Sequence, residues 1–345
     1  MRKIVIACDS YKGCLSSSQV ADAAAKGVTE VFPDCEITKL AVADGGEGTV
    51  EALVTTLGGH IEWTEVSDPL GRPVKAAYGI AGDLAIIESA AACGLTLLTK
   101  EERNPLITTT KGLSELILAA IDKGCRRFLI GLGGSATNDG GMGMVGVPGF
   151  LEKTRGVEFT VACDVDTPYI GKNGASRVFG PQKGASAQDV EVLEERLRGY
   201  ALKIMEDTGI DVSNMAGAGA AGGLGGAFRA YLGAELKRGV DLVLDQIDFD
   251  SAIEGADLVI TGEGCSDYQT LKGKTAAGVL ERAKRKGIPV MLVSGAIRDG
   301  QMLRDGGFGI IAAASPKEMS LAEAMRPETA EHNIYETVKR LLTNE

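Results

Sequence analysis

The chain has 345 residues, 44% of them apolar and 24% charged, enough for two domains or one large one with a full core and too apolar for a disordered chain. Its 36 basic residues against 47 acidic ones give a net charge of −11, which disfavours non-specific binding to nucleic acid or to an anionic membrane. The seven cysteines are scattered without a C-x-x-C pair, and His60 and His332 lie far apart. Neither a zinc site nor a disulfide framework is expected, and a reducing cytosol suits the thiols.

Apolar runs alternate with helical stretches along the chain. After Met1-Arg2-Lys3, the run Ile4-Val5-Ile6-Ala7 is too short for a signal segment and reads as a first strand, ending in Cys8-Asp9-Ser10-Tyr11-Lys12-Gly13. Ser16 with Gln19 three residues later makes a capping-box pattern that opens a helix through about Phe32. Residues 37–43 give a second strand, ending in Asp44-Gly45-Gly46-Glu47-Gly48-Thr49 before another helix. Between 62 and 90, Pro69, Gly71, Gly79 and Gly82 punctuate three β-like runs, an antiparallel stretch that changes the style of the fold. Leu113, Leu116, Ile117, Ala120 and Ile121 mark one face of a helix stopped by Gly124, and a strand over 128–132 follows. Phe159-Thr160-Val161-Ala162 runs into Cys163-Asp164-Val165-Asp166. A longer helix, capped by Ser186 and closed near Gly209, carries Val190, Leu193, Leu197, Tyr200, Ala201 and Ile204. Leu258-Val259-Ile260 ends in Thr261-Gly262-Glu263-Gly264-Cys265-Ser266-Asp267, and 290–293 ends in Ser294-Gly295. Ile310-Ile311 precedes a last amphipathic helix with Ile334, Val338, Leu341 and Leu342. No segment approaches the length needed to span a membrane, and the expected location is the cytoplasm.

Several of these strands finish in glycine together with Asp or Glu. Ligands of parallel α/β sheets sit beyond the carboxyl ends of the strands, so the loops point to a shared cleft. The richest is Gly133-Gly134-Ser135-Ala136-Thr137-Asn138-Asp139-Gly140-Gly141, where glycine brings bare N–H groups close to a ligand in the manner that suits phosphate oxygens. No Walker A sequence is present, no G-x-G-x-x-G follows the first strand, and no G-x-S-x-G elbow exists. The glycine–alanine tract 217–227 carries dinucleotide-like spacings, and a tightly packed helix start accounts for it equally well. What the strand ends offer is carboxylate: Asp9, Asp44, Glu47, Asp139, Asp164, Asp166, Glu263 and Asp267. Carboxylates beside anion-binding loops suit Mg²⁺, and one of them can accept a proton from a substrate hydroxyl, although each acid taken singly could be a cap or turn residue. Lys12 and Lys183, inside glycine-flanked loops, are candidates to neutralise a transferring phosphoryl group.

Asp9-Ser10-Tyr11-Lys12-Gly13, Ala43-Asp44-Gly45-Gly46-Glu47-Gly48-Thr49, Asp68-Pro69-Leu70-Gly71, the 133–141 loop, Ala162-Cys163-Asp164-Val165, Phe179-Gly180-Pro181-Gln182-Lys183-Gly184-Ala185, the glycine–alanine tract and Thr261-Gly262-Glu263-Gly264 resemble, in that order, the bacterial glycerate kinase family. The match runs from the first strand to the last helix. It implies an α/β fold of two domains with the active site between them. One, over 1–62 plus 255–345, is Rossmann- or flavodoxin-like with a parallel sheet; the other, over 63–254, is an inserted mixed α/β domain. Two departures stand out. The connection 145–158, broken by Pro148-Gly149, is shorter than the family's, and Cys265-Ser266-Asp267-Tyr268-Gln269 stands where the family pattern is Arg-Ile-Asp-Ser-Gln. Cysteine cannot replace the bidentate contact of an arginine, which opens the substrate to change.

The resemblance further implies ATP-dependent, Mg²⁺-assisted phosphorylation of D-glycerate, mostly at the 2-hydroxyl. On that reading Gly133, Gly134, Ser135, Asn138 and Asp139 cradle nucleotide phosphates, and Lys12 and Lys183 steady the phosphoryl oxygens. Asp267 takes the proton of the acceptor hydroxyl, and Asp44, Glu47 and Asp164 stand on the metal side. ATP and glycerate are the expected partners, with neither nucleic acid nor membrane, and a homodimer is compatible with the chain. The alternatives are a kinase of another small hydroxy acid and a trimmed, catalytically impaired binding protein.

Overall fold

The computed structural model describes residues 1–46 and 48–343. Its strands along the chain are β1 (Lys3–Cys8), β2 (Glu36–Ala41), β3 (His60–Ser67), β4 (Pro73–Ala81), β5 (Leu84–Glu88), β6 (Arg127–Gly131), β7 (Glu158–Ala162), β8 (Glu235–Lys237), β9 (Leu258–Thr261), β10 (Cys265–Ser266), β11 (Val290–Ser294), β12 (Ala296–Ile297) and β13 (Ile310–Ala313). They fall into two compact units: Met1–Asp44 with Thr55–Leu57 and Val240–Glu345, and Gly45–Val54 with Gly58–Gly239.

The first unit holds a parallel sheet in the order β13-β11-β9-β1-β2. Counted along this unit the order is 2-1-3-4-5, the flavodoxin-like arrangement, with its switch point between β1 and β9. β1 reads Lys-Ile-Val-Ile-Ala-Cys and is buried from Ile4 onward, as a strand covered on both faces must be. The helix Ser17–Val31 carries the chain from β1 to β2 and opens with the expected capping box, Ser16 accepting from the Gln19 N–H and Gln19 from the Ser16 N–H. It packs on the last helix, Pro327–Thr343, at a very close crossing: a Cβ at Gly27 would lie 2.8 Å from the Tyr335 carbonyl. Ile4, Ile6, Val20, Ala24, Val28, Ile334 and Val338 share one core there.

The second unit holds the six-stranded sheet β3-β4-β5-β6-β7-β8, antiparallel from β3 to β5 and parallel from β5 to β8. Gly79, read from the sequence as a break, lies inside β4. The sheet tolerates it because a Cβ there would meet Val54 at 2.4 Å, so the helix Thr49–Leu57 packs directly on that strand. The helix Lys111–Asp122 buries Leu113, Leu116, Ile117, Ala120 and Ile121 in a core with Phe128, Phe159 and Phe228; Phe128 stacks on Phe159 at 5.0 Å, and Phe228 lies tilted against Phe159 at 5.9 Å. The short connection from β6 to β7 contains two single-turn helices, Met142–Val145 and Phe150–Lys153, with Gly149 at φ +77° between them. Met144 and Phe150 are wholly buried in the same core, so the connection is packed rather than slack. The helix Ala187–Thr208 has its capping box at Ser186 and its left-handed stop at Gly209.

Candidate active site

In the first unit the loops at the carboxyl ends of β1, β9 and β11 converge on the switch point. The Asp9 N–H donates to the Gly262 carbonyl at 2.9 Å, which sets the first residue after β1 against the end of β9. Gly262 is obligatory: a Cβ there would stand 1.7 Å from the Val293 carbonyl of β11. Asp9 is buried, its Oδ2 accepting from the Thr275 hydroxyl at 2.6 Å and its Oδ1 from the Ser10 N–H at 2.7 Å. Burial pushes its carboxyl up to about 6, opposed by the Thr275 hydroxyl, reinforced by the Asp44 charge, and eased by Ser10 and the Lys12 ammonium. Lys12 itself is exposed, next to Gly13 at φ +73°.

Beside it lies a second buried carboxylate. Glu263 Oε1 accepts from the Ser266 hydroxyl at 2.9 Å and the Thr270 hydroxyl at 2.6 Å, while Oε2 faces Lys274 at 3.5 Å. Ser266 and Ser294 hydroxyls lie 2.8 Å apart, tying the β9 loop to the end of β11. Asp267 is half-buried in a turn, its Oδ1 accepting from the Gln269 N–H at 2.8 Å and its own N–H donating to Thr270 Oγ1 at 3.1 Å.

In the second unit the 133–141 loop leaves β6 with Gly133 and Gly134 exposed and Ser135, Thr137 and Asn138 buried. Lys183 lies beneath it, 2% exposed, donating from Nζ to Ser135 Oγ at 2.9 Å and to the Thr137 carbonyl at 2.6 Å. Burial brings its ammonium down to about 7 against the pull of Asp139. Asn138 donates to Ser176 Oγ at 2.9 Å. The Asp139 carboxylate is spent locally, accepting from the N–H groups of Thr110, Gly141 and Gly143 and from the Thr110 hydroxyl.

The glycine–alanine tract settles against this loop. Cβ atoms at Gly222 and Gly223 would meet the Thr137 carbonyl at 2.1 Å and Gly140 Cα at 2.8 Å, and the chain there bends through left-handed Ala221, Gly222 and Gly223 before the helix continues. The tract is therefore a packing surface for the 133–141 loop. Gly45, at φ +86°, lies equally tight, where a Cβ would meet Ala162 at 2.6 Å and Gly239 Cα at 2.9 Å. The exposed Asp164 accepts from the Gly239 N–H at 2.8 Å.

Of the residues expected at the site, Lys12, Asp44 and Asp267 belong to the first unit, and Gly133, Gly134, Ser135, Asn138, Asp139, Asp164 and Lys183 to the second; Glu47 lies outside the described residues. The charges of Asp44 and Lys12 lie near enough to act on the Asp9 carboxyl, and Lys183, Ser135 and Asp139 form a second group. The hydroxyls of Ser266, Thr270, Thr275 and Ser294 were not singled out from the sequence. Their signal was local: Ser266 and Thr270 follow Glu263 by three and seven residues.

Among the described residues no three His, Cys, Asp or Glu side chains cluster as a metal's ligands. Mg²⁺ asks for less, one or two carboxylates with water and phosphate oxygens completing its shell. The buried Asp9, whose proton affinity the Asp44 charge raises, is a like-charged pair that a divalent cation would relieve, so the donor set fits the ion.

The family model described as the glycerate kinase family matches residues 4–151 and 145–344. The chain belongs to the glycerate kinase family. It is an enzyme, a phosphotransferase. A Bacillus subtilis relative named glycerate kinase is 45% identical over 357 aligned positions, taking in 93% of this chain and 94% of its own. That alignment is longer than the 345 residues of this chain, so the relative carries residues without a counterpart, and the two pieces of the family match overlap at 145–151. An Escherichia coli relative named glycerate 2-kinase is 44% identical over 327 positions, 86% of each chain. The crystal structure of a putative glycerate kinase 2 from Salmonella typhimurium superposes with a TM-score of 0.90 at 41% identity, covering 99% of this chain and 98% of that one. No helix among the described residues is long and apolar enough to cross a membrane.

Proposed function

We propose that this enzyme transfers the terminal phosphoryl group of ATP to the 2-hydroxyl of D-glycerate, giving 2-phosphoglycerate. The observation that carries the reading is the 133–141 loop, whose exposed Gly133-Gly134 turn runs straight into Ser135 and Thr137, both bonded by one buried lysine. Exposed glycines let a polyphosphate approach main-chain N–H groups closely, and a loop tied down beforehand costs little reorganisation at the moment of transfer. Lys183 thus acts on the phosphates through the loop it clamps, and Asp139 keeps the loop's far end closed. Gly133, Gly134, Ser135 and Asn138 belong to this nucleotide-binding set.

Asp267 is the acceptor of the hydroxyl proton, and Lys12, exposed beside Gly13, meets the charge that develops on the phosphoryl oxygens. Asp44, Glu47 and Asp164, with Asp9, would hold Mg²⁺, which supplies charge neutralisation on the phosphate oxygens when bound. The two-domain organisation, one Rossmann- or flavodoxin-like domain from both ends of the chain and one inserted, and a cytoplasmic location complete the reading.

The test is ADP release from Mg·ATP by the purified protein, with and without D-glycerate and with a panel of other 2- and 3-hydroxy acids. D-glycerate-dependent release with 2-phosphoglycerate as product is expected. Release that responds only to another acid, or ATP binding without turnover, would replace this reading with one of the two alternatives.

A further inference from the structure

The loops after β9 and β11 are joined by the small parallel ladder β10–β12, in which Cys265 stands beside Ala296 and Ser266 beside Ile297. The Arg298 N–H closes the second pair of this ladder, donating to the Ser266 carbonyl at 2.8 Å. Side chains on extended strands alternate between faces, and exposure here follows that rule. Ser266 is buried between the partly exposed Cys265 and Asp267, and across the ladder Ile297 is half-buried between the exposed Ala296 and Arg298. Asp267 and Arg298 each follow the Ser266–Ile297 pair directly, so the two chains leave the ladder as neighbours, Asp267 partly exposed and Arg298 exposed.

The other cations of these loops are engaged. Lys274 faces Glu263 at 3.5 Å, and Lys272 lies 4.9 Å over the Tyr268 ring. The Arg298 guanidinium makes no hydrogen bond or ion pair among the described residues, not even with the neighbouring carboxylate, which is turned toward the Gln269 N–H. An arginine beside an aspartate and not paired with it leaves a fork of donors open to an anion.

We infer that Arg298 is a specificity-determining residue, gripping the carboxylate of the acceptor acid while Asp267 beside it meets the acceptor's hydroxyl. The inference rests on the proposed kinase reading and deepens it. Neighbouring strands lie about 4.8 Å apart, and in a 2-hydroxy acid the carboxylate and hydroxyl sit on adjacent carbons, so a carboxylate and a guanidinium that follow the ends of two neighbouring strands match that pair of groups. A 3-hydroxyl is one carbon further away. The same geometry places Arg298 where a long side chain at 265 would also reach.

The experiment measures ADP release with ATP and D-glycerate varied separately for wild type, Arg298→Gln, Arg298→Lys and the double variant Cys265→Arg/Arg298→Gln. Arg298→Gln is expected to raise KM for D-glycerate about 10- to 100-fold with KM for ATP unchanged. Arg298→Lys, a point charge without the fork, should recover part of the loss, and Cys265→Arg in the Gln background most of it. An unchanged glycerate KM in Arg298→Gln overturns the inference, as does an equal rise in the ATP KM, which would assign the guanidinium to phosphate. A wild type that releases no ADP with D-glycerate overturns the kinase reading instead. In that event thermal shifts of wild type and Arg298→Gln with D-glycerate alone still decide the point, and equal shifts overturn the role of Arg298.

Discussion

The two units prepare their loops by opposite means. In the first, carboxylates are held by side-chain hydroxyls: Asp9 by Thr275, and Glu263 by Ser266 and Thr270. In the second, the loop is shaped by glycines that let backbone lie on backbone, with one buried lysine beneath. A side-chain network can be weakened one hydrogen bond at a time. A glycine-packed loop has no such gradation, since adding a single carbon forces main chain apart.

The sharpest way to break this contrast is at Gly222. It sits at φ +72°, and an alanine Cβ would lie 2.1 Å from the Thr137 carbonyl and 2.6 Å from Asn138 Cα, both main chain. Gly222→Ala should cost upward of about 3 kcal/mol and abolish ATP binding, as read by thermal melting and nucleotide titration. Gly58→Ala is the control: φ is +65° there too, but nothing lies within 4 Å, so only the left-handed penalty of about 1–2 kcal/mol is expected. Equal losses at both sites would show that backbone conformation, not close packing, shapes the loop.

Next in size is a change of chemistry without a change of shape. Asp267→Asn keeps an acceptor for the Gln269 N–H but cannot take a proton, so kcat should fall about 10²–10⁴-fold with the melting temperature unmoved. Turnover near the wild-type rate would remove Asp267 as the base.

Asp9 tests the electrostatic side of the first unit. Its carboxyl is raised from 3.8 to about 6, so the folded protein holds a proton that the unfolded chain releases. Below the unfolded value this group exacts no penalty; stability falls as pH rises from about 4 to 6 and stays lowered above that. Asp9→Asn should therefore melt higher than wild type at pH 7–8, by up to about 3 kcal/mol, and converge with it near pH 4. Added Mg²⁺ should narrow the gap at pH 7–8 if Asp9 and Asp44 share the ion, whereas a gap that ignores pH would deny the raised carboxyl.

Much of this contrast was legible in the sequence, and the reason it stopped where it did is physical. Strands such as β1 and β9 are short apolar runs closed by glycine and acid, and the helix at Ser16 announces itself through Gln19, because these are local preferences. The 133–141 loop stood out for the same reason. Gly79 was misplaced because glycine punctuates in sequence but here admits the helix Thr49–Leu57 onto β4. Lys183 showed as a lysine between glycines; its burial under Ser135 and Thr137 comes from contacts 46 and 48 residues away, which no local pattern encodes. Arg298 drew no notice, since its neighbour Asp267 is brought to it only by the β10–β12 ladder.

The mildest test asks whether the hydroxyl network does more than hold a charge. Thr270 Oγ1 donates to Glu263 Oε1 at 2.6 Å and accepts from the Asp267 N–H at 3.1 Å, so one atom couples the buried carboxylate to the turn that carries the proposed base. Thr270→Val keeps the shape and deletes both bonds, leaving Glu263 with Ser266 and Lys274 alone. The expected cost is about 2 kcal/mol in stability, because one donor to a buried carboxylate is lost. Loosening of Asp267 should lower kcat by about tenfold while KM for ATP stays fixed, since the glycine-packed loop takes no part. Thr270→Ser, which restores the oxygen, should recover the turnover. If the serine variant melts like wild type yet turns over like the valine variant, the hydroxyl serves stability only, and the side-chain network of the first unit is scaffolding in the same sense as the glycines of the second.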